Sequence, residues 1–340
     1  MKHSSKTKHP ILRAYAVGGC LLMLSAVMGL LLGSVKLDGG DLLTALSHGD
    51  WDHPTVRILL YVRLPRVWGA LICGGALAMS GCVIQNVLRN RLASPSIVGV
   101  NAGAGLAVTI CSALGIFWGW RLSLFAFLGG FCAVMPVSLG AQRRRASPGT
   151  VILMGVALNS LLGAISDTVK TLSPDVSILT NDFKVGDFSS VTYRGLIPAT
   201  VVILAAMAVL LTLSTALDVL ALGEETARGL GLHTGLARTG LLMLAALLAG
   251  AAVSVCGLLS FVGLLVPHAV RRGTAGSAGQ SRHLIPLCAL FGGGFVTLCD
   301  TLSRVLFSPY EIPVGIIMAF LGAPFFLFIL MKGKGGEHHA

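Results

Sequence analysis

Hydrophobic positions along this chain do not alternate with polar ones. They fall into blocks, each closed by a short stretch where charge, proline and glycine collect. The clearest block opens with Arg63-Leu-Pro-Arg66 and carries no charge from Val67 to Leu88. At about 1.5 Å per helical residue it reaches about 33 Å, enough to cross the hydrocarbon core of a bilayer. Arginines return at Arg89 and Arg91. A Ser-Pro break and the glycine-rich run to Gly105 then begin the next block. One apolar helix with a basic cluster at each end is the signature of a membrane protein, and its charged ends are where function is to be sought.

The same reading along the chain predicts spans near 14–35, 67–88 (with an amphipathic lead-in from Thr55), 97–118, 122–141, 150–166, 195–217, 239–259, 284–299 and 312–331. Phe261–Val270 is apolar but too short to cross alone. It predicts a half-length helix enclosed by neighbours, because lipid cannot satisfy loose backbone polar groups. The sum is an all-α polytopic bundle of about ten transmembrane helices. Residues 1–340 read as one membrane domain, with a short basic tail at 1–13, a long polar loop at 218–236 and a tail at 332–340. The 28 residues Asp167–Arg194 are too polar to span and predict a surface segment. Trp118 and Trp120 suit a membrane–water interface. Small-residue patterns, such as Gly74-Gly75, Gly99-x-x-x-Gly103 and Gly292-Gly293-Gly294, predict close helix packing.

Composition agrees: mean hydropathy is +0.84 and only 11% of residues are charged, against about 25% in a soluble domain. The net charge of +11 would suit nucleic acid if it were patched on one soluble face. It is instead sorted by topology. With ten spans both termini share a side, and that side's segments hold sixteen of the 25 Lys and Arg but only four of the 14 acids. The positive-inside bias therefore predicts both termini in the cytoplasm. No small-residue cleavage site follows the first apolar run, which reads as a retained span.

The eight cysteines all lie in apolar segments without CxxC or histidine spacing, and read as buried small hydrophobes. No metalloprotease, serine-hydrolase or phosphate-loop motif occurs, so the chain cannot use ATP through a P-loop by itself and does not read as an enzyme. His268, after Pro267, reads as packing or capping. Ionisable groups are scarce inside the predicted spans, which argues against proton coupling. Arg63 and Arg66 lie three residues apart at the outer end of a span, on one helical face, and Arg304 lies just beyond another. Two readings fit them: lipid anchoring or pairing with Asp300 and Glu311, and a docking socket for an acidic partner, since guanidinium forks match carboxylates. The 218–236 loop predicts a helical middle. Glu224 and Glu225 stand near its start and Arg228 near its end, the order the helix dipole favours. Gly229 and Gly231 then break it. It reads either as a solvated loop or as a contact platform for a cytoplasmic subunit.

Several of these stretches together carry a resemblance: RLPR at 63–66, GGALAMSGCVIQNVLRNRLASPSIVGVNAGAG at 74–105, GVALNSLL at 155–162, LALGEETARGLGL at 220–232, GLLSFVGLLVPHAVR at 257–271 and EIPVGIIMAFLGAPFF at 311–326. In this order they resemble the FecCD-type permeases of ATP-binding-cassette importers, which serve iron–siderophore, haem and cobalamin uptake. The resemblance implies a type II ABC importer permease fold, two permease copies or paralogues, a cytoplasmic ATPase dimer that binds the ATP, and an extracytoplasmic substrate-binding protein. It implies no cofactor on this chain. Carried over by position, Arg63, Arg66 and Arg304 are expected to receive carboxylates from the binding protein. Leu222, Gly223, Glu224, Glu225, Ala227, Arg228, Leu230 and Gly231 are expected to seat on the ATPase. The cargo implied is an iron chelate, foremost an iron–siderophore, with haem or cobalamin as the alternative. A proton-coupled carrier and a membrane scaffold remain the other classes. One departure stands out: Asn90-Arg91-Leu92 lacks the proline that the family more often has at its centre.

Overall fold

A computed structural model describes residues 8–35, 38–116, 119–143, 146–274 and 280–333. Residues 1–7, Trp118, Arg144, Arg145 and the end of the tail from Lys334, which entered the charge and topology reading, lie outside the described residues.

Ten apolar helices form the bundle among the described residues: α1 (Lys8–Leu31), α2 (Leu64–Val87), α3 (Val100–Ala113), α4 (Trp120–Arg143), α5 (Pro148–Leu172), α6 (Tyr193–Thr212), α7 (Thr234–Cys256), α8 (Val262–Gly273), α9 (Ser281–Val305) and α10 (Val314–Gly333). Seven are long and apolar enough to cross a membrane, while α3, α8 and the described apolar part of α10 are shorter. The end carrying Arg63 and Arg304 is called here the upper face, and the opposite end of α2 the lower face.

Helix α2 is the hub, packed against α9, α7 and α8. Its approach to them depends on missing side chains. A Cβ on Gly74 would collide with the Gly292 carbonyl of α9, and one on Gly81 with the backbone of Gly263 in α8. Removing the side chain lets the backbones meet, which is how helices associate tightly where water supplies no drive. By contrast α1 and α5 bury only 17% of their apolar windows. Helix α5 presents Leu153, Val156 and Leu161 outward, and α10 presents Phe320 and Leu327.

The structure corrects several boundaries. The third span is 14 residues and not 22, because Pro95 and a left-handed Gly99 (φ 111°) keep 94–99 irregular. The sixth ends at Thr212, and Ser214–Ala221 forms a separate helix. Asp167–Arg194 is not simply a surface segment. Helix α5 runs through its first residues, and two short helices follow (Pro174–Leu179 and Asn181–Val185). The chain then dips inward so that Phe188 is fully buried. Backbone bonds tie this dip down: Asp187 N–H donates to the Cys256 carbonyl at 2.9 Å, and Gly315 N–H to the Gly186 carbonyl at 3.1 Å. Helix α9 runs on to Val305, so Asp300 and Arg304 lie within it and not beyond it. Six cysteines are buried as expected of small hydrophobes, whereas Cys20 and Cys132 are exposed on α1 and α4.

Candidate functional site

The upper site starts from a proline. Pro65 offers no N–H and its ring crowds the carbonyl one turn back, so the preceding turn cannot close as an α-helix. Leu59–Arg63 instead forms a π-helical turn, with Leu64 N–H donating to the Leu59 carbonyl. That wide turn ends on Arg63. Its Nη1 donates to the carbonyls of Leu30 (2.6 Å) and Leu31 (2.7 Å), and its Nη2 to that of Val35. The first two are carbonyls left orphaned at the C-terminus of α1, where positive charge is also favoured by the helix dipole, and Val35 lies in the bend that follows. Arg304 adds to this cap, donating through Nη1 to Gly29 and Leu32, each at 3.2 Å.

Arg66 faces the other way, into a cage of acids. Its Nε donates to Asp300 Oδ1 at 2.9 Å and its Nη1 to Glu311 Oε2 at 2.7 Å, while Nη2 lies 3.8 Å from Asp187 Oδ1. Arg304 Nη2 approaches the second oxygen of Asp300 at 3.0 Å. Two arginines, Arg66 and Arg304, thus meet three carboxylates, and Asp300, shared by both, is completely buried. Burial of such groups is tolerable only because each charge has a partner. Glu311 sits at the edge and also accepts from Ser34 Oγ at 2.7 Å. Burial alone would raise its pKa, but the Ser34 and Arg66 hydrogen bonds and the neighbouring guanidiniums hold it below the ordinary carboxylate value.

The three arginines predicted from sequence therefore converge, although Arg304 is 238 positions beyond Arg66. They are not solvated rim charges: relative exposure is 3% for Arg63, 4% for Arg66 and 2% for Arg304. Arg66 Nη2 and Arg304 Nη2 are both buried without a hydrogen-bond acceptor among the described residues; Arg304 Nη2 faces Asp300 at 3.0 Å, whereas Arg66 Nη2 stands 3.8 Å from Asp187 and is the freer donor.

The lower site is a pair of short helices, Ser214–Ala221 and Glu224–Gly229, leading into α7 at Thr234. Gly223 joins them with φ 118°, a backbone that L side chains rarely adopt, beside the Arg89 guanidinium. Glu224 forks: one oxygen accepts from Arg228 Nη2 at 2.6 Å and the other from Arg238 Nη2 at 3.0 Å. Arg238 is buried and also donates to the Ala146 carbonyl at 2.7 Å. This fork bolts the second short helix to α7 and to the α4–α5 connection. Ala227 is fully buried beneath the pair, while Leu222 (62% exposed) and Leu230 (64%) stand outward with Glu225 and Gly231. Where the proline is missing, the turn is made by Arg89 in the left-handed region (φ 47°), and Asn90 Oδ1 accepts from Leu92 N–H at 2.8 Å.

Two participants escaped the sequence reading. Asp187 lies in the segment taken as surface, and the only hint was Gly186 before it (φ 83°). Arg238 passed as a topological charge, although it stands fourteen residues after Glu224 at the mouth of a span. The α1 carbonyls that hold Arg63 carry no sequence signal at all.

Comparison with known proteins follows from this geometry. Residues 21–332 match the FecCD transport family. The chain is 34% identical to the Fe(3+) dicitrate transport system permease protein FecD of Escherichia coli, over 93% of this chain and 96% of that one. It is 32% identical to the hemin transport system permease protein HmuU of Yersinia pestis, over 93% and 95%. Among solved structures, it is similar to a metal-chelate type ABC transporter in an inward-facing conformation, with a TM-score of 0.79 and 29% identity over 92% of this chain and 97% of that one.

Proposed function

The chain belongs to the FecCD transport family, whose permeases are membrane subunits with ATP hydrolysis on separate ATPases, and from that premise we propose that it carries an iron chelate, foremost an iron–siderophore, into a prokaryotic cytoplasm. The observation that supports a coupled permease most directly is the bolted lower platform. Leu222 and Leu230 are exposed on a helix pair that Glu224, Arg228 and Arg238 hold rigid. Exposed leucines on a fixed polar support suit a protein partner. We assign that partner as the ATPase dimer and the side as cytoplasmic.

The upper cage is assigned to the binding protein. Arg63 is taken up by backbone carbonyls and Arg66 and Arg304 by internal carboxylates, so an incoming carboxylate must use the freer Nη2 of Arg66 or compete with Glu311, the cage's most exposed acid among its described members. The outward faces of α5 and α10 suit a second permease copy or paralogue, whose presence would supply the opposite wall of a path. The bilayer covers the remaining apolar faces.

Haem is the second reading, favoured by the hemin relative. Proton coupling is not favoured. The fully buried carboxylate of Asp300 is clamped between Arg66 and Arg304, and a relay group needs freedom to load and release a proton. Substrate class is tested by competition. Uptake of a radioiron-labelled siderophore into vesicles carrying the assembled transporter should be suppressed by excess unlabelled ferric siderophore and not by haemin or cobalamin. Suppression by haemin alone would move the assignment to haem.

A further inference from the structure

On the lower face, apart from the platform's fork, a cleft of about 810 Å³ opens between the end of α2, the helix Ser214–Ala221, the end of α8 and the start of α9. Arg91, Arg271 and Arg272 line it together with His268, against a single acid, Asp218. The acid is already committed, since one of its oxygens accepts the Ser281 N–H at 2.8 Å in the first turn of α9. Arg271 is held rigidly, donating to Gln85 Oε1 at 2.6 Å and Asn86 Oδ1 at 2.7 Å. Gln85 is itself fixed through Nε2 to the Gly263 carbonyl at 3.0 Å. Arg91 and Arg272 are exposed, and neither guanidinium makes a hydrogen bond or ion pair with any described residue.

The cleft therefore presents two uncommitted guanidiniums around a third that is locked in place. Planar forks of this kind match the oxygens of a phosphate. The rest of the wall is mixed: Thr215, Thr274 and Gln280 are polar, while Val219, Leu222 and Leu284 are apolar. A small soluble anion has no use for the apolar residues, whereas a lipid has both a phosphate and an apolar body. The depth also fits: the cleft sits at the last turn of α2, where a helix long enough to cross the hydrocarbon core gives way to the headgroup layer. Basic pockets between helices at that level are suited to anionic headgroups.

We propose that this cleft binds the phosphate group of an anionic phospholipid, with Arg91 and Arg272 as its principal contacts. Because the helix Ser214–Ala221 forms one wall, an occupied cleft braces the element that leads into Leu222 and Gly223. Leu222 is shared by the cleft and the platform, whereas the platform's fork of Glu224, Arg228 and Arg238 does not line the cleft.

The test uses the full chain in nanodiscs of phosphatidylcholine containing a minority of phosphatidylglycerol. Native mass spectrometry reads how much phosphatidylglycerol stays bound as activation increases. The wild type is expected to retain it. Arg91→Gln/Arg272→Gln is expected to lose retention roughly 30-fold, at about one surface-charge increment for each arginine. Arg57→Gln/Arg194→Gln, which removes two exposed arginines from the upper face, is expected to match the wild type. Arg91→Lys/Arg272→Lys keeps the charge without the fork, and is expected to fall between. Equal loss in both Gln variants would mean bulk charge and overturn the proposal, as would unchanged retention in Arg91→Gln/Arg272→Gln. Binding of inorganic phosphate to the detergent-solubilised chain that depends on Arg91 and Arg272, with no such dependence for phosphatidylglycerol, would reassign the cleft to a soluble anion and overturn the lipid assignment.

Discussion

Replacing Asp300 with asparagine probes the upper cage at its centre. Asp300 accepts from Arg66 Nε at 2.9 Å and faces Arg304 Nη2 at 3.0 Å, with no solvent exposure. Asp300→Asn keeps shape and one acceptor but removes the charge that two buried guanidiniums share. Removing one partner of a buried ion pair costs about 3–5 kcal/mol, mostly the penalty of the charge left behind. Asparagine still accepts one hydrogen bond and Glu311 still pairs with Arg66, so the loss should lie near the lower limit, about 3 kcal/mol. Titrating the purified chain in mixed micelles with a denaturing detergent reads this as an earlier unfolding midpoint. A double variant, Asp300→Leu/Arg304→Leu, separates charge imbalance from lost packing. It removes one charge of each sign, leaves Arg66 with Glu311 and Asp187, and should recover much of the stability, since apolar replacement of a buried ion pair is often close to neutral. An unchanged midpoint for Asp300→Asn would refute the reasoning, because two buried guanidiniums would then be indifferent to their shared acid.

Three further outcomes follow from the same geometry. Glu311→Gln removes the carboxylate that occupies Arg66 while adding one unit of net positive charge. It should speed association of the binding protein at low salt, with the gain shrinking as salt screens it; an unchanged on-rate at low salt would remove Arg66 from docking. Because the Glu311 carboxyl is held below its ordinary value, its contribution is present above the unfolded-state value, near pH 4.3, and is lost as pH falls through the folded value. The stability gap between wild type and Glu311→Gln should therefore persist at neutral pH and close in acid; a gap that widened in acid would reverse the sign. Gly223→Pro forces a φ near −65° where the chain holds 118°, a strain of about 1–3 kcal/mol or more. It should insert normally but lower uptake per ATP hydrolysed, and normal coupling would dissociate the platform from the ATPase.

Much of the fold was legible because bilayer thickness dictates helix length: apolar blocks near 20 residues could be counted directly, and the half-length helix at Val262–Gly273 announced itself by being too short. Boundaries failed where polar residues lie inside a helix. Asp300 and Arg304 looked like the start of a loop, but their mutual pairing lets α9 run on to Val305. The same effect misplaced the arginines themselves. From spacing, Arg63 and Arg66 share a face, whereas the π-helical turn before Pro65 sends Arg63 to the α1 carbonyls and leaves Arg66 to the acids. The lower platform was easier, because its cues are local: a glutamate pair, an arginine one turn later and a glycine where positive φ is needed. What it lacked was Arg238, a contact made only when α7 folds back beneath Glu224.

Energy source is the central claim, and uptake by reconstituted vesicles tests it most directly. Vesicles containing this chain, a second permease copy and its ATPase, supplied with the binding protein and a labelled ferric chelate, should accumulate label only when ATP is present on the ATPase side. Omitting the ATPase should abolish uptake even with an imposed proton gradient. Accumulation driven by the gradient alone, without ATPase or ATP, would contradict the account.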